Sequence, residues 1–109
     1  MYLLIKLINS GLQDLIEAVE LLLQFPQIDV NIKSINREEE EETPLILAIK
    51  NENIKNVQKL LENDEIDVNL KKSYNGEEGE TPLITAILHN NIEITKHLLS
   101  YPNIDINFR

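Results

Sequence analysis

Between Ile54 and Leu61 the apolar positions are Ile54, Val57, Leu60 and Leu61, a spacing that lines one face of a helix. The pattern returns at Ile92, Thr95, Leu98 and Leu99, and one unit earlier at Ile16, Val19, Leu22 and Leu23. Each predicts a helix that packs one stripe inward. A shorter and more uniformly apolar block precedes two of them, roughly Pro44 to Asn51 and Pro82 to Asn90, and predicts a helix buried on most of its circumference. Ala48 and Ala86 there let another helix approach closely. Both short helices begin on Thr-Pro. Thr43 and Thr81 suit the N-cap, where a hydroxyl accepts from a free N–H of the first turn, and Pro44 and Pro82 suit the next position, where no intrahelical bond is lost. Ahead of the first stripe, "YLLIKLI" stands where the short helix should be, and Ser10-Gly11 marks a turn. Leu12 and Leu15 lengthen that stripe by about a turn.

These blocks recur with a period of 38 residues. "ETPLILAI" at Glu42 to Ile49 returns as "ETPLITAI" at Glu80 to Ile87, and fourteen of the 28 positions from Glu42 to Asn69 are identical at this offset. Shared composition does not give that much identity, so the chain reads as a repeat array. We read one domain, 1–109, of three units, approximately 1–31, 32–69 and 70–107, the first with a divergent front half. After each one-faced helix come "QFPQIDVN", "NDEIDVN" and "YPNIDIN", where Pro26 and Pro102 block continuation and the Ile-Asp-Val/Ile-Asn segment is expected to be extended. A loop then returns to the next Thr-Pro. In the third unit it carries Tyr74-Asn75-Gly76, and Asn-Gly is the strongest two-residue hairpin signal. In the second unit the same place holds "REEEEE", Arg37 to Glu42. Without Asn-Gly, closure of that loop into a hairpin is open, and it is expected to be the more mobile of the two.

Thr-Pro-Leu-x-x-Ala, tied at constant offset to Leu-Leu and to Asp-Val/Ile-Asn, resembles the ankyrin repeat over nearly the whole chain. The resemblance implies an all-α solenoid of helix pairs with projecting, hairpin-like loops. The period exceeds the family's by about five residues, most of them between Asp-x-Asn and Thr-Pro, so longer fingers are expected. Ile46 and Ile84 replace the histidine that commonly follows Thr-Pro-Leu, so packing is expected in place of a customary polar link between repeats. The glycine two before the threonine is Gly79 in the third unit but Glu41 in the second. The glycine between the helices is Glu52 and Asn90, of which asparagine tolerates a left-handed turn better. Tetratricopeptide and other helix-pair repeats give no reason for Thr-Pro starts or Asp-x-Asn segments.

Composition narrows the function classes. Apolar residues make up 42% of the chain and aromatics 5%, with no tryptophan, so the core is aliphatic. Nineteen acids against ten bases give a formal charge of -9, which repels nucleic acid and anionic lipid and favours basic partners. With no cysteine there is no disulfide, thiolate nucleophile or cysteine-ligated metal. The N-terminus is a poor signal peptide, and no stretch approaches the ~20 apolar residues of a membrane span. A soluble protein of the cytosol or nucleus, not secreted, is expected.

Little in the chain points to catalysis or metal binding. His89 and His97 lack a convergent second ligand or nucleophile, and His97 is expected to be a half-buried packing residue. "ENDEIDVN" lacks the alternating ligands, central glycine and terminal glutamate of a calcium loop. No phosphate-binding, dinucleotide-binding or nucleophile-elbow motif is present. The expected function is therefore binding, with no cofactor, metal or enzymatic activity. Tyr74, at a predicted hairpin tip, is a candidate interface anchor. Glu38 to Glu42 and Glu77, Glu78 and Glu80 occupy matching places in adjacent units, so stacking is expected to align them in one acidic strip that attracts a basic protein or peptide. By the resemblance, contacts come from loop tips and first-helix surfaces: Glu42, Lys50 and Asn51 in the second unit, and Tyr74, Glu80, Leu88 and His89 in the third. The alternative is a structural fragment of a longer array that self-associates through uncapped ends.

Overall fold

The computed structural model describes residues 3–9 and 16–106. Three helix pairs follow one another: α1 (Leu3–Asn9) with α2 (Ile16–Leu23), α3 (Pro44–Lys50) with α4 (Ile54–Leu61), and α5 (Pro82–Leu88) with α6 (Ile92–Leu99). The first helices stack α1 on α3 on α5, and the second helices α2 on α4 on α6. Ser10, Gly11, Leu12 and Leu15 lie outside the described residues, as does Asn107.

The Thr-Pro starts behave as their chemistry requires. Thr43 and Thr81 are extended, and each Oγ1 accepts from the N–H three residues on, Ile46 and Ile84, at 3.2 Å. The short helices stop slightly earlier than expected, at Lys50 and Leu88, because Glu52 and Asn90 turn left-handed at φ 56° and 54°. The Asn53 N–H then reaches the Ala48 carbonyl and the Glu52 N–H that of Ile49; Asn91 and Asn90 do the same onto Ala86 and Ile87. This double closure satisfies carbonyls that the helix end leaves open. The residues that follow start the next helices: the side-chain oxygens of Asn53 and Asn91 cap α4 and α6 by accepting from the Asn56 and Ile94 N–H groups.

The core is aliphatic, with Ile8, Val19, Leu45, Ile46, Ile49, Val57, Leu60, Ile94 and Leu98 buried and Ala48 and Ala86 at the helix contacts. Two stripe positions differ from expectation. Ile92 and Leu99 are exposed, because no helix among the described residues packs on that side of α6. Asn56, on the polar side of the predicted stripe, is buried where the third unit has Ile94, and its Oδ1 has no hydrogen-bond partner.

The Asp-x-Asn segments of the first two units form turns and not strands. Asp29 and Asp67 accept from the Ile32 and Leu70 N–H groups through their carbonyls, and from the Asn31 and Asn69 N–H groups through their carboxylates. Each asparagine side chain then crosses to the next unit. Asn31 donates to the Glu65 carbonyl at 2.7 Å and accepts from the Asp67 N–H at 2.8 Å; Asn69 does the same with Asn103 and Asp105 at 2.8 and 2.9 Å. A polar link between units therefore exists at Asn31 and Asn69, apart from Ile46 and Ile84, where packing was expected to replace the customary one and where Ile46 is buried.

The fingers correct the all-α expectation. β1 (Ser34–Ile35) and β2 (Glu40–Glu42) form one antiparallel hairpin, and β3 (Ser73–Tyr74) and β4 (Glu77–Glu78) the other. β2 also pairs with β3, with Glu40 opposite Tyr74 and Glu41 opposite Ser73, so the two fingers merge into one four-stranded sheet in the order β1-β2-β3-β4.

Candidate partner-binding surface

The finger of the third unit turns at Asn75 and Gly76, both at positive φ (55° and 81°), as a two-residue hairpin turn demands. It presents Tyr74, half exposed, with Glu77 directly opposite and Glu78 next to it, both exposed. Beyond the strands the ladder carries an extra residue: the Gly79 N–H reaches the Lys72 carbonyl at 2.7 Å while the Lys72 N–H reaches the Glu80 carbonyl at 3.0 Å. Both Gly79 and Glu80 thus oppose Lys72, which makes a bulge.

The finger of the second unit closes without Asn-Gly. Arg37, Glu38 and Glu39 form its tip, with Glu39 at φ 64° in a left-handed position where glycine is usual. Asn36 compensates. Its Oδ1 accepts from the Glu38 and Glu40 N–H groups at 2.9 Å each, and its amide donates to the Glu40 and Glu42 carboxylates at 3.2 and 2.9 Å. One side chain thus organises both the turn and the acids behind it.

Half of the expected acidic strip, Glu40, Glu41, Glu42 and Glu80, is engaged internally. Glu42 is 1% exposed and lies 2.7 Å from Lys50, so it is not a surface contact; it is a buried charge held by Lys50 and Asn36. Lys72 lies between the fingers, 2.9 Å from Glu40 and 3.9 Å from Glu80. Its hydrogen bond, followed by that of Asn36, holds the Glu40 carboxyl below its ordinary value of 4.5 despite some burial. Burial works against the Lys72 charge, yet the Glu40 hydrogen bond and the neighbouring carboxylates outweigh it and raise the ammonium above its ordinary 10.5. Glu80 also accepts from the Thr85 hydroxyl at 3.0 Å, so it is only partly available. Glu77 and Glu78, with Glu38 and Glu39 at the tip of the second unit's finger, are the expected strip acids whose carboxylates have no hydrogen bond or ion pair among the described residues.

The first-helix positions line up across units as expected. Lys50 and Asn51 end α3, with Lys50 tied to β2 through Glu42 and the Asn51 amide donating to the Ile8 carbonyl at 3.1 Å. Leu88 and His89 end α5 and are exposed; the His89 Nδ1–H donates to the Thr85 carbonyl at 2.9 Å. Thr85, which is buried, also donates to Glu80, so hydrogen bonds join the end of α5 to the base of the third finger. His97 is half-buried and shares a 3.2 Å contact with Gln58 of the unit before, the packing role expected for it. No group of three or more acidic or histidine side chains could hold a metal ion among the described residues. No helix there is long and apolar enough to cross a membrane.

The family model for ankyrin repeats, in three copies, matches residues 4–109. The chain belongs to the ankyrin-repeat family. Comparison with curated proteins returned no match. Ankyrin repeats are generally protein–protein interaction modules and typically non-catalytic. Two residues important to this ankyrin surface were missed in the sequence. Lys72 is one of two consecutive lysines directly ahead of Ser73-Tyr74, and an opposite-charge pair across matching loops was a readable signal. Asn36 stands immediately before Arg37 and the glutamates, and an asparagine at the start of a loop is a known turn former. Ile35, exposed on the first finger, had no such signal.

Proposed function

We infer that this ankyrin-repeat chain binds a basic protein or peptide along the surface that runs from the third finger to the end of α5. Tyr74, Glu77 and Glu78 are its charged and aromatic part, and Leu88 and His89 its helical part. Lys50 and Asn51 occupy the matching place in the second unit and extend it. The observation that carries the reading is a contrast at matching strand positions: Glu40 and Glu42 of β2 are paired with Lys72 and Lys50, while Glu77 and Glu78 of β4 stand exposed and unpaired beside a half-exposed tyrosine. An amphipathic aromatic flanked by unpaired charge suits an interface anchor. Glu42 and Glu80 support this surface from behind.

The test is affinity capture with the parent chain and with the double variant Glu77→Lys, Glu78→Lys. Both positions are exposed, so the melting temperature is expected to stay within about 2 °C. The partner is expected to be lost from the variant. Retention of the same partners at the same salt concentration would overturn the reading.

A second reading rests on the end face of the third unit. Ile49 is fully buried under the next helix pair, whereas Ile87 at the matching position is 52% exposed, and Ile92, Leu99 and Ile106 are exposed with it. Apolar faces of this kind support stacking of further repeats or copies. Sedimentation at rising concentration tests self-association; a constant monomer mass counts against it.

A further inference from the structure

We propose that the outer edge of β4 docks an extended segment of lysine, a small residue and an aromatic, laid antiparallel along Glu77 to Gly79. The inference rests on the acidic-surface reading above and adds the backbone geometry and the chemistry of the occupant. β4 is the last strand of the sheet and has β3 on one side and no strand on the other among the described residues. Antiparallel ladders alternate bonded and non-bonded pairs. The bonds between Lys72 and the Gly79–Glu80 bulge make Ser73 and Glu78 the non-bonded pair, so the Glu78 N–H and C=O point to the open edge.

The same molecule shows what such an edge accepts. β2 is the corresponding strand of the preceding unit, and its outer edge is occupied by β3. The non-bonded pair Ile35–Glu41 corresponds to Ser73–Glu78, so Glu41 matches Glu78 and Glu40 matches Glu77. The one-residue offset from the 38-residue period arises because the third finger turns in two residues and recovers the register at its bulge. On β2 the occupant presents Lys72 to Glu40 at 2.9 Å, Ser73 opposite Glu41, and Tyr74 opposite Glu40. Transferred to β4, this requires a lysine for Glu77, with Glu80 near by, and a residue small enough to lie flat opposite Glu78. The free edge of a second copy is a poorer fit. β1 carries Ser34 where the lysine is needed and Ile35 where the small residue is needed.

The probe is a synthetic peptide with the chain's own sequence from Asn69 to Asn75, NLKKSYN, titrated into isotope-labelled protein and followed by amide chemical shifts. Shifts are expected at Tyr74 to Glu80, largest at Glu78. Methylating the serine backbone nitrogen is expected to weaken binding at least tenfold, and Glu77→Gln several-fold. If parent and methylated peptides bind alike, the edge docking is overturned while the acidic-surface reading stands. If the parent peptide fails to bind at millimolar concentration, the docking is overturned and the charge reversal above judges the acidic surface separately. Shifts at Glu78 that grow with protein concentration alone would give the edge to a second copy and overturn the proposed occupant.

Discussion

The two fingers reach the same antiparallel hairpin by different chemistry. The third unit puts its instruction in the tip, where Asn75 and Gly76 adopt positive φ at little cost. The second puts it one residue before the tip, where Asn36 ties down two backbone N–H groups and two carboxylates while Glu39 takes the strained position. The consequence is electrostatic. The finger closed by its tip leaves Glu77 and Glu78 free for solvent or a partner, whereas the finger closed by a side chain keeps only Glu38 and Glu39 free at its tip and has Glu42 drawn to Lys50 and Glu40 to Lys72. Substitutions that exchange one unit's residues for the other's test this difference.

The largest effect is expected at Lys50, whose counterpart is Leu88. Lys50→Leu copies the third unit but strands the Glu42 carboxylate in a buried site with Asn36 as its remaining partner. Breaking a buried pair from one side leaves an uncompensated charge, and we expect a loss of about 3 kcal/mol. Urea denaturation measures it. Adding Glu42→Gln is expected to recover much of the loss, since the charge then disappears. By contrast Glu80→Gln in the third unit should cost less than about 1 kcal/mol, because Glu80 is partly exposed.

Next is Asn36→Ala, which removes four hydrogen bonds and leaves Glu39 without local support for its left-handed turn. An expected loss of about 2 kcal/mol reflects the partly buried groups left behind. The matching Tyr74→Ala, at a half-exposed position that closes nothing, should fall within about 0.5 kcal/mol. Equal losses at the two positions would mean that Asn36 does not organise its finger.

The sequence revealed repeated elements better than it revealed exceptions. Thr43-Pro44 and Thr81-Pro82 marked helix starts because a cap is a local event, settled within one turn, and Asn75-Gly76 marked its hairpin for the same reason. The merger of the fingers into one sheet was not legible. It depends on pairing between residues some thirty positions apart, and the glutamates of β2 have low strand propensity. Nor was the burial of Glu42 legible, since an acid in a run of five reads as solvated until Lys50 and Asn36 are placed around it. The candidate surface divides the same way. Exposure of Tyr74, Leu88 and His89 followed from their places in the repeat, whereas the split between free and neutralised acids required Lys72 to be located in space.

A smaller effect is expected at the turns between helices. Glu52 and Asn90 share the same left-handed geometry, but a glutamate pays the steric penalty more fully than an asparagine. Glu52→Gly is expected to stabilise by about 1 kcal/mol, reduced somewhat by the greater freedom of glycine in the unfolded chain. Asn90→Gly should give about half of that. The pair of thermal melts fixes the ranking, and a larger gain at Asn90 would reverse the argument.

The smallest effect concerns the bond that joins the fingers. Glu40 is held below 4.5, first by the Lys72 hydrogen bond, so its contribution is present above 4.5 and is lost as pH falls through the lowered folded value. Lys72 is raised above 10.5, so its contribution is present below 10.5 and is lost as pH rises through the higher folded value. Both side chains are partly exposed, and a contribution of about 0.5 kcal/mol is expected between these limits. Lys72→Met should flatten that share of the acid limb in stability measured between pH 6 and pH 3 (about the carboxylate range). A substitution confined to the third finger, such as Glu78→Gln, should leave it unchanged, because its carboxylate has no partner across the sheet. If Lys72→Met leaves the acid limb as steep as before, the two fingers are joined by their backbone ladder alone, and Lys72 does not act as the electrostatic link between them.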